Sequence, residues 1–161
     1  MKRFYHWTDE GNIENILQEG LRPGIELGMQ EQYGGIDIDH RYIYLAKNLL
    51  LVPREVYREK KLLSVDIPED HPIERDYDVA VFIEGTHGFF GLLSMLQIIA
   101  NLGIKPINDK IDFSNRESMV HHLERVSDET WDNTFGFYRT HLPIPPDGRY
   151  KIERMTLIPN S

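Results

Sequence analysis

The chain contains no cysteine, which removes disulfides, thiolate nucleophiles and thiolate metal ligands from consideration. Positive charge is also scarce: 18 Lys and Arg stand against 26 Asp and Glu, a formal net charge of −8. A broad electrostatic grip on nucleic acid needs the opposite balance, although a local basic groove stays open. Long hydrophobic runs are lacking. The longest, 89–100, is broken by Gly91, Ser94 and Gln97, too short and too interrupted to span a membrane. Met1 leads into a charged, strand-like segment with no apolar signal region, so no membrane partner and a cytoplasmic location are expected. There is no internal repeat and no low-complexity tract. His-Glu-x-x-His spacing is missing too, and adjacent His121 and His122 would point about 100° apart on a helix. No metal site is therefore expected.

What is present is ordinary for a globular protein: 161 residues, 40% hydrophobic and 27% charged. That length fits a single domain with a proper core. The first two dozen residues carry the clearest pattern. Phe4, Tyr5, His6 and Trp7 suit a buried strand. Thr8 or Asp9 can cap a helix through a side-chain oxygen. Ile13, Ile16 and Leu17 recur at helical steps over 12–20, and Gly20 is a natural residue just past the helix end. The strand thus ends on a histidine beside a helix start, with a hydroxyl one residue further on. A histidine so placed can hold a polar ligand. Its plainer reading is a ring that satisfies a neighbouring carbonyl.

Further along, 25–41 reads as a mobile loop with Gly28, Gly34 and Gly35. Residues 42–46 make a short aromatic and β-branched strand. A helix is expected over 51–60, with Pro53 in its first turn. The run 62–67 is apolar on both faces, hence a central strand ended by Pro68. Residues 69–78 are charged and contain proline, which reads as a surface loop. The apolar run 79–83 closes on Glu84-Gly85, and 89–102 suits a mostly buried helix. Ser114 and Glu117 form a capping box for a helix striped by Met119, Val120, Leu123 and Val126. Strands are expected over 134–142 and 150–158.

Three of these segments together resemble the ADP-ribosyltransferase superfamily: His6-Trp7-Thr8 on a first strand, "NIENILQEGLRPG" after it, and Tyr44-Leu45-Ala46 on a later strand. Members bind NAD in the cleft between those strands. The resemblance implies an α+β fold: one domain over 1–161, two small antiparallel-rich sheets around an NAD cleft, peripheral helices, and a helical insertion around 86–127. His6 and Tyr44 would lie on neighbouring strands facing the cleft. His6 would hold a ribose hydroxyl of NAD, Thr8 would orient it, and the Trp7 backbone would meet the carboxamide. Tyr44, with Tyr57 from the following helix, would line the nicotinamide pocket. Read without the family, Tyr44 is a strand tyrosine packing on the core.

Transferring members also carry a glutamate that stabilises the positive charge developing on the ribose. The strand expected to hold it reads Phe135-Gly136-Phe137-Tyr138-Arg139-Thr140-His141 and has no carboxylate. Glu84, at the end of an apolar run, is the first substitute, which makes His6, Tyr44 and Glu84 the expected catalytic set. The implied activity is cleavage of the nicotinamide–ribose bond of NAD, as substrate, with transfer of ADP-ribose to a macromolecular acceptor, protein or nucleic acid. Two alternatives stand beside it. One is a non-catalytic nucleotide- or protein-binding member of the fold. The other is an RNA 2′-phosphotransferase-like enzyme, in which Arg139 or His141 would approach a phosphate.

Overall fold

The computed structural model describes residues 1–27, 39–47, 61–77, 116–134 and 136–155. The expected helix over 51–60, the loop glycines, the run 79–85, the helix over 89–102 and the capping Ser114 lie outside those residues. The chain divides into two compact units, Met1–Glu74 with Tyr138–Ser161, and Arg75–Phe137. The expected insertion at 86–127 falls inside the second.

The protein is α+β. Its strands are β1 (Lys2–Thr8), β2 (Ile43–Ala46), β3 (Lys61–Ile67), β4 (Glu74–Arg75), β5 (Phe137–Thr140) and β6 (Lys151–Arg154). Two sheets were expected, but the described strands form one, in the order β4-β5-β2-β1-β3-β6. The reason is that β1 pairs on both sides. Against β3 it is antiparallel along its whole length, from Lys2 with Ile67 to Thr8 with Lys61. Against β2 it is also antiparallel, with Tyr5 opposite Ala46 as the one register pair among the described residues. β3 in turn pairs with β6 from Leu63–Arg154 to Asp66–Lys151.

Side chains alternate across a strand, so Phe4, His6 and Thr8 leave one face of β1, Tyr5 and Trp7 the other. Phe4 is buried with Ile43, Leu45, Leu63, Val65, Ile67, Ile144 and Ile152 in one core cluster. The edge of Tyr138 meets the Phe4 ring, centroids 5.4 Å apart. β3 is central, as its sequence predicts: Leu62, Leu63, Ser64, Val65 and Ile67 are all buried.

After β1 the chain makes a 3-10 turn, Glu10–Asn12, and then α1 (Ile13–Glu19). Asp9 stands before the turn in extended conformation, but its side chain makes no capping bond. Ile13 is buried and Ile16 packs on the same cluster. Leu17, expected on that face, is 39% exposed, because so short a helix buries only the narrow stripe through Ile13 and Ile16. Gly20 ends the helix with φ 85°, and Leu21 then exchanges both backbone bonds with Ile144, at 2.8 and 2.9 Å.

The segment read as a loop over 69–78 is more structured than its composition suggests. His71 and Asp76 are buried, and Glu74–Arg75 forms β4. In the second unit, α2 (Arg116–Glu124) matches the helix expected there, with Leu123 buried. The strand expected from 134 starts only at Phe137, because α3 (Asp128–Thr134) precedes it. Ser127 caps α3, its hydroxyl oxygen accepting the Thr130 N–H at 3.2 Å. Trp131, fully buried, donates its indole N–H to the Phe137 carbonyl at 3.0 Å. Arg75 lies over the Trp131 ring at 5.1 Å and bonds Asp128 at 2.6 Å. No described helix is long and apolar enough to cross a membrane.

Candidate functional site

The residues singled out on β1 and β2 meet where those strands stop pairing. Continued pairing beyond Tyr5 and Ala46 would set Leu45 and Tyr44 against His6 and Trp7. Instead the His6 imidazole reaches across, with Nδ1 2.8 Å from the Tyr44 carbonyl oxygen. A backbone carbonyl must be satisfied by something, and here a side chain replaces a rung of the ladder.

A carbonyl only accepts, so His6 Nδ1 carries the proton and donates. Burial holds the imidazole below the ordinary histidine pKa, and the bond to Tyr44 only partly offsets this. The ring is therefore neutral at neutral pH, and Nε2 is an acceptor. Nε2 has no partner among the described residues. No buried side-chain nitrogen or oxygen among those residues lacks one, so Nε2 meets solvent. The plainer role, satisfying a carbonyl, is filled at Nδ1, and a second nitrogen remains for a ligand.

The other expected residues are placed unevenly. Thr8, half-buried, follows His6 on the same face of β1, and the Asn12 amide approaches its hydroxyl at 3.5 Å. Trp7 is half-buried on the opposite face. Tyr44 alternates with the buried Ile43 and Leu45, so its ring leaves the sheet on the face opposite His6. Its hydroxyl donates to the Asp39 carbonyl at 2.7 Å. His6 and Tyr44 are thus neighbours joined through the Tyr44 main chain, not two rings facing one space. Tyr57 and Glu84 lie outside the described residues.

The turn that carries Tyr44 is tightly bound. The Asp39 carbonyl also accepts the Tyr42 N–H at 3.3 Å. The Asp39 carboxylate takes the Arg41 N–H at 3.1 Å and the Arg41 guanidinium at 2.6 Å. That cation pulls the Asp39 carboxyl down to about 2. The His40 carbonyl accepts the Ile25 N–H at 2.8 Å.

Arg139, considered for a phosphate, bonds Glu74 at 2.9 Å and stacks over Tyr42 at 4.1 Å. His141 is exposed. Of the acids near the expected catalytic strand, Asp128 is held by Arg75 and Glu153 by Lys151. A depression of about 400 Å³ lined by Met1, Pro68, Glu69, Gly148 and Arg149 lies at the far end of β1 from His6. Its charges are matched: Glu69 faces the Met1 amine and Lys2, and Arg149 faces Asp70. Among the described residues no group of three or more His, Asp or Glu could hold a metal ion.

Sequence reasoning missed a buried polar cluster around His71. Its Nδ1 lies 2.8 Å from the Tyr150 hydroxyl and its Nε2 3.0 Å from Thr140 Oγ1. The available signal was the pair of prolines, Pro68 and Pro72, which fix the turn around it.

Compared with known proteins, the chain matches no family model, no curated protein and no solved structure.

Proposed function

We propose that the protein binds NAD at the opening between β1 and β2 and acts as an ADP-ribosyltransferase, cleaving the nicotinamide–ribose bond and passing ADP-ribose to a macromolecular acceptor. The observation that carries this reading is the state of His6. A neutral imidazole with Nδ1 committed to the Tyr44 carbonyl presents Nε2 as an acceptor. Such an acceptor suits a ribose hydroxyl, which can donate to it. Thr8, on the same face, can take a second hydroxyl, and the Trp7 main chain lies between them. The likeness of His6-Trp7-Thr8 to the superfamily's first strand supports the same assignment, whereas the Tyr44 ring, on the face opposite His6, does not. Tyr57 completes the nicotinamide side in this reading, and Glu84 supplies the carboxylate at the ribose.

The test is release of free nicotinamide from NAD, with NAD binding measured in parallel. His6→Ala should abolish release and weaken binding, while the folded state persists, because the half-buried His6 lies outside the core cluster. Binding without release favours the non-catalytic reading. That reading has its own observation: Asp128 and Glu153 are already engaged by cations. Neither binding nor release refutes both.

A further inference from the structure

The resemblance casts Tyr44 as a ring for nicotinamide. We infer instead that Tyr44 is a positioning residue, whose hydroxyl and carbonyl together hold His6 in the tautomer that receives the ligand. The inference rests on the NAD reading for its consequence, but not for its geometry.

Two hydrogen bonds run in series. The Tyr44 hydroxyl donates to the Asp39 carbonyl at 2.7 Å, and the Tyr44 carbonyl accepts from His6 Nδ1 at 2.8 Å. The first bond anchors the side chain of Tyr44 to the turn before β2. That turn is fixed independently by the Tyr42 N–H on the Asp39 carbonyl and by the Asp39–Arg41 clamp. The second bond then offers the Tyr44 carbonyl at a set point in the gap between the strands. Among the described residues β1 and β2 share the pair Tyr5 with Ala46, which lies two residues from Tyr44. The turn thus adds a second hold on this carbonyl beside the strand pairing.

Which imidazole nitrogen is protonated is set by the bond the other makes. Held by the carbonyl, His6 keeps its proton on Nδ1 and shows a bare Nε2. Released, the ring interconverts between both tautomers, and in the Nε2–H form it no longer accepts the ligand's hydroxyl proton. The Tyr44 ring need not touch the ligand for its loss to be felt.

The experiment reads the His6 ring nitrogens by nitrogen-15 NMR at neutral pH, without ligand. The intact protein should show Nδ1 protonated and Nε2 bare. Tyr44→Phe keeps the ring and removes only the hydroxyl. It should move His6 toward a mixture containing the Nε2–H form. Asp39→Ala, which loosens the same turn from the other side, should move it the same way and serves if Tyr44→Phe does not fold. NAD affinity should fall about tenfold in Tyr44→Phe, the size of one ordinary hydrogen bond. The double variant with His6→Ala should bind no more weakly than His6→Ala alone. A His6 that stays fully Nδ1-protonated in both single variants overturns the inference, as does an additive loss in the double variant. A chain that binds no NAD overturns the ligand reading alone, and the tautomer result still decides the role of Tyr44.

Discussion

The bond between His71 and Thr140 has a fixed direction. Thr140 Oγ1 lies 2.7 Å from the Pro72 carbonyl, to which it can only donate. It therefore accepts, from the Leu142 N–H at 3.3 Å and from His71 Nε2 at 3.0 Å. His71 Nδ1 is left as the acceptor for the Tyr150 hydroxyl. The neutral ring is satisfied on both sides, which is why a histidine can be buried here at 8% exposure.

Thr140→Val keeps the shape of the side chain and removes both of its functions. The Pro72 carbonyl, the Leu142 N–H and the His71 Nε2–H would all lose a partner. Leaving buried groups unpaired costs about 1–3 kcal/mol, so unfolding in urea should show a loss in that range. Tyr150→Phe, which orphans one acceptor near the surface, should lose less. A Thr140→Val chain as stable as the parent would contradict the network.

Acid should destabilise the protein in two stages. Burial lowers the pKa of both His6 and His71 below the ordinary value. An unfolded histidine titrates near about 6.5. Below that pH the unfolded chain takes up protons that the folded chain refuses, so stability is level above it and declines as the pH falls further. Asp39, held down to about 2 by Arg41, stabilises the fold above the unfolded carboxylate pKa of about 4. That contribution is lost as the pH falls from about 4 toward 2. Urea midpoints across this range check both stages. A flat profile from neutrality to about pH 5 would rule out the first.

Gly20→Ala should be far more damaging than Gly148→Ala. Both glycines have positive φ, 85° and 70°, but a Cβ on Gly148 meets nothing, whereas one on Gly20 overlaps the Ile144 carbonyl and lies 3.0 Å from Pro145 Cα. The conformational penalty alone is about 1–2 kcal/mol, and Gly148→Ala should show little more. Gly20→Ala must also push apart the Leu21–Ile144 bridge, so a loss of about 3 kcal/mol or more is expected. Equal thermal unfolding of the two variants would mean that the bridge yields easily.

Glu84→Gln keeps size and removes charge. In the role proposed for Glu84 at the ribose, that change should lower nicotinamide release about a hundred- to a thousand-fold, with NAD affinity nearly unchanged. Undiminished release in the variant would exclude Glu84 from the role.

β1, α1 and β3 were legible because each repeats a signal over several residues: aromatics in a row, Ile13 with Ile16, apolar residues on both faces of 62–67. β4 has two residues and no room for a pattern. α3 was lost because its one buried apolar anchor is Trp131, although Ser127 followed by Asp128 and Glu129 is a readable helix start. His71, between Asp70 and Pro72, reads as exposed loop; its burial depends on Thr140 and Tyr150, 69 and 79 residues away. At the candidate site the sequence pointed to His6 and Tyr44 as neighbours. It could not reveal that the link runs through a main-chain carbonyl, since a carbonyl belongs to every residue and leaves no mark in composition.

Among the described residues, the two neighbours of β1 hold it to very different extents. Among those residues, β1 meets β3 through a register of seven pairs, and β2 through one pair and one imidazole bond. Most sheets fray from their edges inward. Among the described residues the β1–β2 row is thinner than the β1–β3 and β3–β6 rows beside it, so amide deuteration should reach the row that His6 closes before it reaches β3.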